Sequence, residues 1–291
     1  MASEPHSMMS AAPNSIPTYP IRDVARLTGI NPVTLRAWQR RYGLLKPART
    51  EKGHRLYSED DVSTIRHILH WLEQGVSIGQ VKGLLDTPTP EASGSNWQQA
   101  QTQLLDSSLA LNLGRLEAEL LELASLYPAE LVLRKVIEPW LLALAQLHRP
   151  DAQLIEQSAR ALLMRLLHQM LTIKSGPVIA VARVGQVREQ HALLAQFELQ
   201  GLECRSIDLG VLDPHTLPLA VGRLKFDALV IVLGAGLSHS WFLDAHTLLP
   251  EHCFYVGELG TLYLQQGWLN RPFSVCVSDL KREHDASFSL V

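Results

Sequence analysis

Nine lysine or arginine side chains stand between Arg22 and Arg55, at positions 22, 26, 36, 40, 41, 46, 49, 52 and 55. Asp23 and Glu51 are the acids among them, so the stretch carries +7 in a chain whose formal balance is −3. Guanidinium and ammonium groups at this density, interleaved with Trp38, Tyr42 and Tyr57, have the chemistry of nucleic-acid recognition. Catalysis has no comparable case. Glu189 and His191 form an acid–imidazole pair, but on one short stretch they lack the third group of a nucleophile relay. No catalytic residue is expected. His148 and His168 have no His, Cys or Glu one helical turn away, so no metal site is expected. No GxGxxG follows the first tail strand, and Gly234-Ala235-Gly236 reads as a tight turn.

The basic side chains need elements to aim them. Ile21, Val24, Ala25 and Leu27 give IRDVARLTG a short apolar helical face, stopped by Gly29. Asn31 is a candidate N-cap and Pro32 suits a first helical turn. In the next helix, VTLRAWQRRYG, Val33, Leu35 and Trp38 fall near one face, and Leu35 and Trp38 read as core. Thr34, Arg36, Arg40 and Arg41 then point away from it. Helix, short turn and basic helix make a helix-turn-helix. Lys52-Gly53 is a turn between two short strands, which reads as a wing carrying Lys52, His54 and Arg55. Ser58 caps a further helix, with Asp60 and Asp61 in its first turn.

The stretch IRDVARLTGINPVTLRAWQRRYGLLKPARTEKGHRLYSEDDV resembles the winged-helix domain of the MerR family of bacterial regulators. Its marks are TLRAW, YGLL-x-P and GHRLYSEDD. The wording RAWQRRYGLLKP resembles one branch, the biofilm and curli regulators and the cobalamin-dependent light-responsive repressors. The resemblance implies binding of double-stranded promoter DNA as a homodimer, in the context of RNA polymerase. Thr34, Arg36 and Arg40 would face the major groove or its flanking phosphates, and Arg41 and Tyr42 the backbone. Lys52, His54 and Arg55 would meet phosphates or the minor groove.

Beyond the head the charge changes sign, from +4 over residues 15–87 to −6 over 88–291. Such a division fits separate working parts. Residues 1–16 read as a disordered leader, 17–86 as the DNA-binding head and 87–96, rich in Pro, Ser and Gly, as a linker. Residues 97–175 read as four amphipathic helices, with Pro139 kinking the third or setting its start. Residues 176–291 alternate short β-branched runs with helical stretches. The expected fold class is therefore multidomain. It joins an α-helical winged helix-turn-helix head, a four-helix bundle and a doubly wound, flavodoxin-like α/β tail with a five-stranded parallel sheet. Three scattered cysteines fit a reducing cytoplasm. No apolar run reaches the roughly 18–20 residues of a membrane span, so a cytoplasmic protein without a membrane role is expected.

Bundle and sheet together resemble the cobalamin-binding module of methionine synthase and of the light-responsive repressors. That module carries an acid-x-His-x-x-Gly motif on the loop after its first strand, whose His ligates cobalt. Glu189 and His191 match it, while Leu194 stands in place of the Gly. The module's Trp and its later Glu-His pair are matched by Gln146 or Leu147 and by Glu156-Gln157. Its late Gly-Gly is Gly257-Glu258. A leucine and a glutamate occupy volume that the glycines leave to the ligand. The expectation is thus no cofactor, with a signal from a partner protein: an antirepressor, a photoreceptor or a cyclic-di-GMP enzyme. One alternative is a repressor that senses cobalamin, or a small molecule held near His215, His239 and His246. Another, of a different class, is a cobalamin-dependent methyl-transfer or carrier protein.

Overall fold

The computed structural model describes residues 16, 18–86, 96–171, 176–202, 204–213, 215–257, 259–269, 271–275, 277 and 280. Most of the expected leader and linker, together with Glu258 and Cys276, lie outside them.

The head begins with β1 (Tyr19–Pro20), which runs directly into α1 (Ile21–Thr28). Asn31 then caps α2 (Pro32–Ala37), its Oδ1 accepting the Val33 N–H at 2.9 Å. Residues Trp38–Tyr42 extend α2 through one wide turn, closed by the Gly43 N–H donating to the Trp38 carbonyl. Wide turns of this kind inside helices are frequent at functional sites. The chain next forms the hairpin of β2 (Ala48–Arg49) and β3 (Arg55–Tyr57). Gly53 sits at its tip with φ 81°, a conformation a side chain would resist. β1 pairs antiparallel with β3, so the hairpin is anchored to the start of the head in a three-stranded sheet. Two residues carry no period, so β1 leaves no mark in the sequence. Ser58 caps α3 (Glu59–Glu73) reciprocally with Asp61, and α4 (Ile78–Asp86) completes the head.

The middle comprises α5 (Asn96–Leu109), α6 (Leu113–Leu126), α7 (Ala129–Val132), α8 (Glu138–Ala145) and α9 (Ala152–Met170). A wide turn over Leu133–Ile137 joins α7 to α8. Pro139 lies in the first turn of α8. Its missing N–H leaves the Lys135 carbonyl without its i+4 donor. The Gln101 amide of α5 fills that role at 2.6 Å. Helix α5 packs on α6, α8 and α9 to form a helical bundle.

Head and bundle share one apolar cluster, from Val24 and Trp38 through Leu72 and Trp97 to Leu126 and Leu167. Two indoles bridge them: Trp38 donates to the Leu126 carbonyl at 2.7 Å and Trp97 to the Leu72 carbonyl at 2.8 Å. Glu73 of α3 pairs with Arg134, and with Lys135 at 3.5 Å. The helix that carries the basic stripe is thus fastened at its far end to the bundle.

The tail holds β4 (Val178–Val184), β5 (Arg205–Val211), β6 (Ala228–Leu233), β7 (Cys253–Val256) and β8 (Phe273–Ser274). They form a parallel sheet in the order β5-β4-β6-β7-β8. Alternate residues serve opposite faces. Ile179 and Val181 pack with Ala192 and Leu199 of α10 (Glu189–Gly201). Ala180, Ala182 and Val184 pack with the layer of α11 (Leu217–Arg223), α12 (His239–Leu248) and α13 (Gly260–Gln265). Both faces are covered at β4, β6 and β7, which is why these strands read as nearly continuous apolar runs, while the edge strand β5 is exposed or half-buried along its length.

Candidate nucleic-acid interface

Burial along α2 decides which side chains are presented. Leu35, Ala37 and Trp38 are buried, as is Thr34 at 1% exposure, while Arg36, Arg40 and Arg41 are exposed. Val33 is 56% exposed. The sequence expectation for this turn is therefore corrected: Val33 faces water and Thr34 the core. At 100° per residue Val33 lies about 60° from Arg36, on the same side of the helix. Thr34 falls instead beside Leu35 and Trp38, and its side chain is closed off from any groove.

Lys52 and His54 are exposed around the hairpin tip. Arg49 is partly spent on the turn itself, donating to the Gly53 carbonyl at 3.3 Å. Arg55 is half-buried, and its Nε donates to Gln39 Oε1 at 2.6 Å. That bond ties the hairpin to the wide turn ending α2, so the two basic surfaces keep a fixed relation. Gln39 was missed by sequence reasoning, because a neutral amide sixteen residues from its partner leaves no local signal. Tyr42 is half-buried against the core cluster. Arg26 pairs with Asp23 at 3.5 Å in an exposed setting, where ion pairs contribute about 0–1 kcal/mol.

The structure places the tail's candidate pair differently from the loop expected for it. Glu189 and His191 lie in the first turn of α10, and both are exposed. His191 lines a cavity of about 240 Å³ between bundle and sheet, with Leu133, Glu138, Arg188, Leu194 and Val256. Pockets for drug-sized ligands run to about 300–1,000 Å³. His215, His239 and His246 are exposed, and none lines this cavity. His239 lies against the Trp268 ring, with ring centroids 5.5 Å apart. Among the described residues no group of three His, Cys, Asp or Glu side chains is placed to hold a metal, and no helix is long and apolar enough to cross a membrane.

Three features occupy the space above the sheet. Leu194 is buried and belongs to the bundle's own apolar cluster. Arg160 of α9 holds Glu156 at 2.8 Å and also donates to Gln190, between Glu189 and His191. At the carboxyl ends of β4 and β6, Gln186 and Ala235 exchange backbone hydrogen bonds of 2.8 and 3.2 Å. A Cβ on Gly234 would stand 2.6 Å from the Gln186 backbone. This is the switch point of the sheet, where open α/β folds receive ligands.

Residues 19–87 match the model of the MerR HTH family regulatory proteins. The regulator MlrA of Salmonella typhimurium (strain SL1344), named an HTH-type transcriptional regulator, is 44% identical over 121 residues, 42% of this chain and 49% of MlrA. The chain thus spans about half the length of that relative. The HTH-type transcriptional repressor CarH of Myxococcus xanthus is 30% identical over 258 residues, covering 80% of this chain and 85% of CarH. A solved cobalamin-binding protein from Desulfitobacterium hafniense DCB-2 superposes with a TM-score of 0.31 at 13% identity, over 66% of this chain and 98% of that one. MlrA is named a transcriptional regulator and CarH a transcriptional repressor. The exposed basic helix, the anchored hairpin and the extended likeness to CarH converge: the chain belongs to the MerR family of helix-turn-helix regulators.

Proposed function

We propose that the chain is a sequence-specific regulator of transcription that binds promoter DNA as a homodimer in the cytoplasm. Its tail takes a signal from a partner protein. The observation that carries the DNA reading is the exposed stripe of Arg36, Arg40 and Arg41 beside the exposed Lys52 and His54. Helix α2 enters the major groove, with Arg36 and Arg40 toward base edges and flanking phosphates. The β2–β3 hairpin acts as the wing, with Lys52, His54 and Arg55 on phosphates or the minor groove. Arg41 and Tyr42 contact the backbone at the helix end. Thr34, buried, is outside this contact set. Two such heads match a near-palindromic site and its two-fold symmetry, in a promoter that RNA polymerase also occupies.

The test is a gel shift on a duplex selected from a random pool by the full chain. Arg36→Ala and Arg40→Ala are each expected to lower specific affinity by about 5-fold to 150-fold, the worth of a bidentate base contact of about 1–3 kcal/mol. Circular dichroism should be unchanged. Unaltered affinity in both variants would remove α2 from the reading role.

The partner route rests on the space above the sheet. Leu194 narrows the bundle–sheet cavity that it lines, Arg160 braces α9 on α10, and the Gln186–Ala235 bridge joins the loops at the switch point. These residues do not fit a corrin, whose nucleotide tail needs the switch point open. His191 is the one ligating side chain retained, and it sits at the rim of a small cavity. A change at the sheet can travel through the bundle to the Trp38–Leu126 bond at the end of α2. The same cavity supports a second reading, a small-molecule effector. Ligand-induced thermal stabilisation, which grows as RT ln(1 + [L]/Kd), separates that reading from a protein signal.

A further inference from the structure

We propose that Val33 is a specificity-determining residue of the DNA reader, packing against the C5-methyl of a thymine in the major groove. The inference deepens the reading of α2 as the recognition helix and rests on it. Val33 is 56% exposed on an otherwise basic stripe. It occupies the first turn of α2, and helix-turn-helix proteins present the N-terminal residues of that helix to base edges.

Its position is fixed from both sides. The Asn31 cap holds the Val33 N–H at 2.9 Å, which sets the start of the helix. Thr34, Leu35, Ala37 and Trp38 are all buried, so the helix has no freedom to roll Val33 inward. Valine in a helix has one dominant χ1 rotamer, and little side-chain entropy is lost when its methyl groups meet a partner. The side chain has no donor or acceptor, so it reads none of the polar marks of the groove. The apolar mark the major groove offers is the thymine methyl. Arg36, one turn further on the same side, would fix the register of that contact.

The test uses the full chain and a duplex selected from a random pool. Each thymine is replaced in turn by deoxyuridine, which removes the methyl and nothing else. For the wild-type chain, methyl removal at one thymine per half-site is expected to weaken binding about fourfold, the worth of one buried methyl-sized group. The same replacement should leave Val33→Ala unchanged. Val33→Thr keeps the branched shape with one methyl and should show part of the loss. Alanine is the better helix former, and circular dichroism checks that the variant folds. If no thymine distinguishes wild type from Val33→Ala, the inference is overturned while the regulator reading stands. A chain that selects no sequence at all overturns the regulator reading itself.

Discussion

Trp38 is completely buried at the end of the basic helix, and its indole spends its one N–H on a carbonyl of the bundle. The neighbouring exposed residues take the solvent, while this residue sets where the helix lies. Trp38→Phe keeps most of the ring but leaves the Leu126 carbonyl unpaired in a dry site. Such orphaned groups cost about 1–3 kcal/mol, and urea unfolding of the full chain should show a loss of that size. A midpoint equal to wild type would mean that the indole bond contributes nothing to the junction. Cys253 is likewise completely buried. Burial pushes its thiol up to about 12, which makes it an inert core residue.

At the scale of elements, the loops that end β4 and β6 are held together by the Gln186–Ala235 backbone pair. The Tyr263 hydroxyl adds to the closure by donating to the Gly234 carbonyl at 2.8 Å. Gly234→Ala drives a Cβ to 2.6 Å from backbone that has no room to retreat. The expected outcome is a tail destabilised by about 1–3 kcal/mol, the usual cost of overpacking. Limited proteolysis should then cut this variant sooner than wild type, and equal cutting would show that the loops part easily. None of this closure was visible in the sequence, where Gly234-Ala235-Gly236 read only as a turn. Backbone pairing between loops about fifty residues apart leaves no side-chain pattern. β4, β6 and β7 were legible because buried parallel strands are apolar nearly throughout. Ser58 and Asn31 were legible because caps are local. The phase of Val33 and Thr34 was not, because one residue of helical phase is decided by what packs on the helix. The third strand at Tyr19-Pro20 escaped for want of length.

At the scale of the whole molecule, residues 15–87 carry +4 and residues 88–291 carry −6, yet head and bundle share one core. That arrangement suits a DNA reader whose orientation is set by what the rest of the chain binds. The resemblance of bundle and sheet to a cobalamin module would suggest that the bound molecule is a corrin. In the proposed function it is a protein, on the ground that Leu194 and the Gln186–Ala235 pair narrow the space above the sheet. The most direct measurement is a fluorescence-anisotropy titration of the full chain on its selected duplex and on a scrambled one, each with and without adenosylcobalamin. The expected result is strong preference for the selected duplex, with a binding curve that cobalamin leaves unmoved. Equal binding to both duplexes, or an affinity that shifts when cobalamin is added, would contradict the account.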